Sequence, residues 1–302
     1  MSRVVDRAQP VYSADPPVVR VVEELTATLR YAGIADPRRV ATDIIAALLE
    51  VPRSWPVMNR DASLDVATVQ AASRAADRLC MGSPFAYAVG SAAFRHLSLA
   101  VDERVLIPRP ETELLVGEVL DHMRARFGTR WGTAIDIGTG SGAIALSLAS
   151  EGRFERVIAT DASADALDVA SANLKRCGQA IVPAVEFRRG SLIAPVRGVS
   201  ATAIVSNPPY IAFSEMESLP ASVRDWEPPL ALFSGHDGMS ATAAIVRDAA
   251  AVLTSGGLLA LEVDERRASL VAEMAMRHGS YTDVGVRLDL AGRERFVLAT
   301  RI

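Results

Sequence analysis

The chain has 302 residues, room for about two domains, and its 50% hydrophobic and 23% charged content is that of a globular protein. A formal net charge of −4 lacks the basic field of a general nucleic-acid binder, so a nucleic-acid partner is not expected. No apolar run approaches the ~20 residues that cross a bilayer, the start holds no signal-type apolar core, and Cys80 and Cys177 form no motif, which together exclude a membrane partner and point to a reduced cytoplasmic setting.

Residues 1–17 contain Pro10, Pro16 and Pro17 and no periodicity, and read as a frayed tail. Residues 18–82 read as a small helical bundle. Val22, Leu25 and Leu29 share one face, and Val40, Ile44, Ile45, Leu48 and Leu49 form another stripe. Asp36-Pro37 marks a helix start with proline at the first helical position, and residues 65–80 are alanine-rich and helical. Met81-Gly82-Ser83-Pro84 is a break. Residues 83–107 then read as a β-hairpin linker, with short strands at 85–89, at 93–97 and near 105–107. The last domain is expected over 108–302. It opens on a helix whose first turn carries Glu111 and Glu113, where the helix dipole favours carboxylates.

From Trp131 onward strand and helix alternate. Strand candidates lie at 133–137, 156–160, 185–188, 201–206 and 258–263, followed by 282–288 and 295–301 joined by a short turn. This is the pattern of a doubly wound α/β domain with a mainly parallel sheet and a terminal antiparallel hairpin.

Asp136-Ile137-Gly138-Thr139-Gly140-Ser141-Gly142 follows the first of these strands. Glycines let the turn be tight and let a ligand lie against bare backbone, with helix N-terminal N–H groups facing it. The spacing is G-x-G-x-G and not the dinucleotide G-x-G-x-x-G. Asp161 ends the second strand, where a carboxylate accepts hydrogen bonds from ribose hydroxyls. Alone, the loop fits a structural turn or a dinucleotide site about as well.

Asn207-Pro208-Pro209-Tyr210 closes the fourth strand. Two prolines fix φ and donate no N–H, and the residue before them is pushed into an extended conformation. The Asn207 side chain and the Asn207 and Pro208 carbonyls are thereby held as a polar claw suited to both hydrogens of a planar –NH2 group. Glycine loop, Asp161 and claw together favour methyl transfer from S-adenosylmethionine to an amide or exocyclic amine. His96, His122, His236 and His278 show no ligand spacing, and no metal is expected.

These residues resemble the PrmC/HemK family of protein N5-glutamine methyltransferases. The resemblance runs through Ala32-Gly33-Ile34 with residues 43–49, Phe85-Ala86-Tyr87 with Gly90, Leu106-Ile107-Pro108-Arg109-Pro110-Glu111-Thr112-Glu113, the glycine loop, Asn207 to Ile211, and Asp289 to Arg295. It implies a Rossmann-like class I methyltransferase fold, a seven-stranded and mainly parallel sheet with a terminal antiparallel hairpin, behind a small N-terminal helical domain that grips the substrate. It implies S-adenosylmethionine as cofactor, held by Gly138, Thr139, Gly140, Ser141, Gly142, Asp161, Ser191, Leu192 and Asn207. Asn207, Pro208, Pro209 and Tyr210 would be catalytic. The implied partner is a peptide-chain release factor, methylated on the glutamine of its Gly-Gly-Gln motif by a monomeric cytoplasmic enzyme. Two positions depart from the family pattern: Ser191 stands where an aspartate is usual, and Asp264 follows Glu262-Val263 where a glycine is usual. Two alternatives remain at this stage, an amino methyltransferase acting on another protein or on nucleic acid (adenine N6 type) and a non-catalytic binding paralogue.

Overall fold

The computed structural model of the chain describes residues 15–178, 181 and 183–302, so most of the expected tail, residues 1–14, lies outside the described residues. Pro16 and Pro17 are held in place: the Pro16 carbonyl accepts the Leu64 N–H at 2.9 Å, and Pro17 bridges Ser63. The described residues form two compact units, one ending at Val89 and the other running from Gly90 to Ile302.

The first unit is helical, with α1 (Val18–Tyr31), α2 (Pro37–Leu48), α3 (Trp55–Met58), α4 (Val66–Cys80) and α5 (Phe85–Val89). Its core follows from spacing. Val18, Val22, Leu25 and Leu29 of α1 meet Ala41, Ile44 and Ile45 of α2 and Val69, Ala72 and Ala76 of α4. Asp65 caps α4 by accepting the Thr68 N–H at 2.7 Å. Helix α5 corrects the strand expected at 85–89. Phe85, Ala88 and Val89 recur at helical spacing and pack on this core, and the Pro84 carbonyl takes the Ala88 N–H at 3.0 Å. Burial on a helical face outweighs the strand preference of aromatic and β-branched residues.

The second unit opens with the hairpin β1 (Ser91–Phe94) and β2 (Leu97–Ala100). Its turn is Arg95-His96, with Arg95 at φ 52°, so the strand expected at 93–97 in fact spans the turn. No strand forms near 105–107; the Val105 N–H closes a turn on the Asp102 carbonyl. Helix α6 (Pro110–Phe127) follows. The chain then runs through β3 (Thr133–Ile137), α7 (Ala143–Glu151), β4 (Arg156–Asp161), α8 (Ala164–Cys177), β5 (Ala184–Arg189) and β6 (Ala201–Ser206). The remaining elements are α9 (Ala221–Arg224), α10 (Pro229–Leu232), α11 (Ser240–Ala249), β7 (Leu253–Glu262), α12 (Ala268–His278), β8 (Tyr281–Leu288) and β9 (Glu294–Arg301).

Seven strands make one sheet in the order β5-β4-β3-β6-β7-β9-β8. The first five in sequence pair in parallel, and β9 runs antiparallel between β7 and β8. Alternation along the strands splits the core in two. Ala134, Ala203, Val205, Leu258, Ala260, Phe296 and Leu298 face α6 and α7, through Leu115, Val119, Met123, Ile144 and Leu148. Ile135, Ile137, Ile204, Leu259, Leu261 and Val297 face α11 and α12, through Ile245, Val246, Val271 and Ala275. Both faces of the sheet are covered, as parallel strands require. This is the Rossmann-like methyltransferase fold that the sequence implied.

Ile135 is fully buried on β3, an interior strand of the sheet. Ile135→Ala is expected to cost about 3–4 kcal/mol of the second unit's stability, as buried large-to-small changes do. Urea denaturation followed by the fluorescence of Trp131, buried in the same unit, measures it.

Candidate active site

Strand order reverses between β3 and β6. The chain builds β4 and β5 to one side of β3 and returns at β6 to build the other, and the loops leaving the two carboxyl ends part there and leave a crevice. The glycine loop leaves β3 after Ile137, and Asn207 leaves β6 after Ser206. The parallel register sets Ile137 beside Ser206, whose Oγ donates to the Ile137 carbonyl at 2.6 Å.

Gly138, Gly140 and Gly142 have φ of 75°, 54° and 86°, a region that side chains with a Cβ rarely enter. The Gly138 and Thr139 N–H groups donate to the Thr160 carbonyl at 2.9 Å, fastening the loop to β4. Asp161, at the end of β4, accepts the Gly140 N–H on Oδ2 and the Ser163 N–H on Oδ1, both at 2.9 Å. Each of its oxygens keeps a further lone pair. Asp136 lies beneath the loop and is fully buried. Its Oδ2 accepts from Thr139 Oγ1 at 2.6 Å and from the Ala145 N–H at 3.1 Å, while Oδ1 has no partner among the described residues. Burial pushes this carboxyl up to about 7, against the pull of the two hydrogen bonds.

A cavity of about 390 Å³ opens over the loop. Gly138, Gly140, Asp161, Ser191, Leu192 and Asn207 line it, joined by Pro209. Thr139 and Ser141 line instead a narrow cleft of about 50 Å³ shared with Arg109, Thr112 and Asn207. Gly142 lines neither; it is the turn into α7, where a Cβ would come 3.1 Å from Leu146 and 3.3 Å from Ala170. Gly190, just before Ser191, passes so near Pro195 that a Cβ would lie 2.4 Å from its ring.

A second cavity of about 200 Å³ is lined by Pro208, Tyr210, Ile211, Leu219, Val223 and Arg109. Asn207, Leu106 and Ala231 line both cavities, so the claw stands where the two meet. Asn207 Nδ2 donates to Thr112 Oγ1 at 3.1 Å, and Thr112 Oγ1 donates to Glu262 Oε2 at 2.6 Å. Asn207 Oδ1 and the Pro208 carbonyl accept no hydrogen bond among the described residues and remain available to a ligand. Burial, with the Glu262 carboxylate nearby, pushes the Tyr210 phenol up to about 12, so it keeps its proton.

Residues 211–240 wall these cavities. Ile211 donates its N–H to the Leu232 carbonyl at 3.0 Å and accepts the Ser234 N–H at 2.9 Å; Phe213 stacks on Phe233 with centroids 5.5 Å apart. Arg109 bonds Glu227 at 2.6 Å, and Glu227 is buried with its carboxyl raised by burial despite that partner. Arg109 therefore anchors the wall and lines the second cavity. Asp264 lines neither cavity. It pairs with Arg266 at 2.8 Å and Arg267 at 3.4 Å, which reach Glu215 at 2.7 and 3.3 Å. The departure at this position thus pins the segment around Glu215.

Sequence reasoning passed over three residues of this site. Asp136 was legible only as a carboxylate within a buried strand, Glu262 as one at the end of another, and Thr112 as a member of the Leu106–Glu113 segment. Among the described residues no group of three His, Cys, Asp or Glu side chains could hold a metal, and no helix is long and apolar enough to cross a membrane.

Comparison with known proteins bears on both units. Residues 20–90 match the family described as the PrmC N-terminal domain, and residues 112–220 match the methyltransferase small domain. A release factor glutamine methyltransferase of Moorella thermoacetica is 38% identical, over 92% of this chain and 96% of its own. One of Mycolicibacterium smegmatis is 38% identical over 93% and 96%. A solved structure, the hMettl16 catalytic domain in complex with MAT2A 3′UTR hairpin 6, covers 81% of this chain and 85% of its own at 16% identity and a TM-score of 0.52, a likeness of fold alone.

The raised Asp136 carboxyl has a consequence for stability. Between its usual value of roughly 4 and about 7 the folded chain holds a proton that the unfolded chain releases, so this residue's contribution is present at acid pH and lost as pH rises through about 7. The stability of Asp136→Asn relative to the native protein should therefore climb from pH ~4 to ~7 and level off above, read by urea denaturation across that range. A pH-independent difference would contradict the assignment.

Proposed function

The chain belongs to the release factor glutamine methyltransferase family, and from that membership we propose that it transfers a methyl group from S-adenosylmethionine to the side-chain amide nitrogen of the glutamine in the Gly-Gly-Gln motif of a peptide-chain release factor. The observation that carries the reading is Asn207, standing where the two cavities meet with its Oδ1 and the Pro208 carbonyl open as acceptors.

The larger cavity fits the donor. Its volume of about 390 Å³ lies in the range usual for small-molecule sites. Asp161 keeps lone pairs for the ribose hydroxyls, Gly138 and Gly140 offer bare backbone, and Ser191 with Leu192 gives the base one hydrogen-bonding group and apolar cover. When bound, S-adenosylmethionine supplies an electrophilic methyl group on sulfur.

The difficulty lies in the acceptor, because an amide nitrogen lends its lone pair to its carbonyl. Asn207 Oδ1 and the Pro208 carbonyl take its two hydrogens. They fix its direction and favour the positive charge that builds on nitrogen, in a site whose dipoles are already in place. Pro208 and Pro209 hold those acceptors still. Tyr210 packs along the glutamine side chain and helps keep water out; its raised phenol is no base. No base is needed before transfer, and the nitrogen sheds its proton afterwards. The helical unit would grip the release factor. The reading includes action as a monomer, in the cytoplasm where release factors work. Family membership and the net charge of −4 disfavour the nucleic-acid acceptor that the claw alone would admit.

The test is incubation with labelled S-adenosylmethionine and a release factor, or the same factor with its motif glutamine replaced by alanine; label should enter only the first. Asn207→Ala should lower kcat by about 10²–10³-fold, the scale of losing one preorganised polar group at a developing charge, with donor affinity nearly unchanged. Retained turnover in that variant would falsify the assignment. Asp161→Ala should weaken donor binding by about 10- to 100-fold, the worth of hydrogen bonds to a charged group, as read by calorimetry. An unchanged affinity would show that Asp161 does not hold the donor.

A further inference from the structure

A carboxamide has two ends of nearly the same shape, and only one suits the acceptor. With Oδ1 facing the glutamine –NH2 group, Asn207 accepts. With Nδ2 facing it, two donors confront each other. The prolines hold the backbone but say nothing about which end of the side chain points forward.

The structure supplies that choice from behind. Nδ2 lies 3.1 Å from Thr112 Oγ1, which lies 2.6 Å from Glu262 Oε2. Thr112 is 5% exposed and Glu262 1%, so both are largely withdrawn from bulk water and partner each other first. A hydroxyl has one proton, and an ionised carboxylate only accepts. The Thr112 proton therefore goes to Glu262, the Thr112 oxygen is left as an acceptor, and only the –NH2 end of Asn207 can meet it. The three residues sit on three separate elements: Thr112 in the first turn of α6, Glu262 at the end of β7 and Asn207 just after β6. A link of this kind between elements has no use in closing any one of them.

We propose that Thr112 and Glu262 are a positioning pair that sets the polarity of the Asn207 claw, so that oxygen and not nitrogen faces the acceptor amide. This rests on the reading of Asn207 as acceptor for the glutamine –NH2 group. The carboxyl of Glu262 is pushed up to about 7 by burial, with Glu111 of α6 adding to the rise and Arg295 of β9 and Arg109 before α6 opposing it. Tyr210 faces it too and stays neutral. A protonated Glu262 can donate to Thr112, which frees the Thr112 proton for Asn207 Oδ1 and admits the reversed claw.

Glu262→Gln keeps the shape and removes the obligatory acceptor. With donor saturating, kcat should fall by about 10- to 100-fold, the scale of a misaligned reacting group, while release factor KM, donor affinity and Tm hold. The decline of native kcat below pH ~7 should flatten in this variant. Thr112→Val should lose kcat likewise, and Thr112→Ser should recover most of it. Native kcat in both Glu262→Gln and Thr112→Val, in an enzyme that Asn207→Ala inactivates, overturns the proposal. A readout without turnover separates the two ideas. In protein carrying 15N in its asparagine side chains, the Asn207 Nδ2 protons should show nuclear Overhauser contacts to the Thr112 methyl, lost in Glu262→Gln. Their absence in the native protein defeats the positioning pair. Their presence in a protein that fails to methylate release factors supports the pair and removes the acceptor reading instead.

Discussion

The pairing of β3 with β6 is the constraint on which the site depends. These strands are neighbours in space and far apart in sequence, and their parallel register sets Ile137 level with Ser206. Whatever follows the two strands must emerge side by side. One is followed by a glycine loop that offers bare backbone, the other by a claw that offers oxygens. A one-residue slip would turn every side chain of β6 to the opposite face and carry Asn207 away from the loop. The split core resists such a slip, because Ala203 and Val205 are buried on one face and Ile204 on the other. Packing that looks purely structural thus fixes the separation of the glycine loop and the claw.

The site also carries an electrostatic cost. Asp136, Glu262 and Glu227 are all buried, and burial raises the carboxyl of each. A buried carboxylate is tolerated when it is hydrogen-bonded, and each of these holds something that must not move. Asp136 holds Thr139 and the start of α7. Glu262 holds Thr112, and Glu227 holds Arg109. A fourth buried polar side chain has the same duty without charge. Asn173 binds the Ala100 backbone through both of its side-chain ends and takes the Ser141 carbonyl at 2.9 Å, tying the glycine loop to the hairpin. The glycine loop is therefore braced from below by Asp136, from the side by Asn173 and from β4 by Asp161.

What the sequence disclosed and what it withheld divide along a physical line. The sheet strands were legible because apolar runs broken by helical spacing are local signals. The glycine loop, Asp161 and the claw were legible because their meaning lies in consecutive residues and in strand ends. The helix at Phe85–Val89 was hidden, since five residues rich in aromatic and β-branched types read as strand until a core is present to bury their spaced face. Thr112, Glu262 and the Arg109–Glu227 pair were hidden for another reason. Each interaction joins residues more than a hundred positions apart, and nothing in either neighbourhood names its partner. Thr139, Ser141 and Gly142 show the reverse case, a motif read as a unit whose members the fold assigns to a cleft and a turn as well as to the main cavity. Asp264 reads as a loss beside the family pattern and becomes intelligible once Arg266, Arg267 and Glu215 are seen around it.

The claw by itself does not distinguish an amide from an adenine amino group, since both present two hydrogens in a plane. Discrimination has to come from the space in front of it. A flipped base needs a flat slot and stacks between aromatic or apolar faces. The second cavity is about 200 Å³, and Tyr210 is the one aromatic residue among those that line it; Ile211, Leu219, Val223 and Leu232 supply branched aliphatic surface. Branched walls suit a narrow, flexible chain better than a plane. Arg109, fixed by the buried Glu227, closes one side with a cation whose charge is already answered, so it does not call for a phosphate. A slender side chain ending in a carboxamide meets each of these conditions. In the proposed pose it reaches the claw with its –NH2 group leading, leaves its carbons among the aliphatic wall and brings no charge for the cavity to neutralise. On the proposed reading, selectivity for glutamine rests on residues 211–232 and Arg109, while Asn207 and Pro208 set only the geometry of the hydrogens they receive.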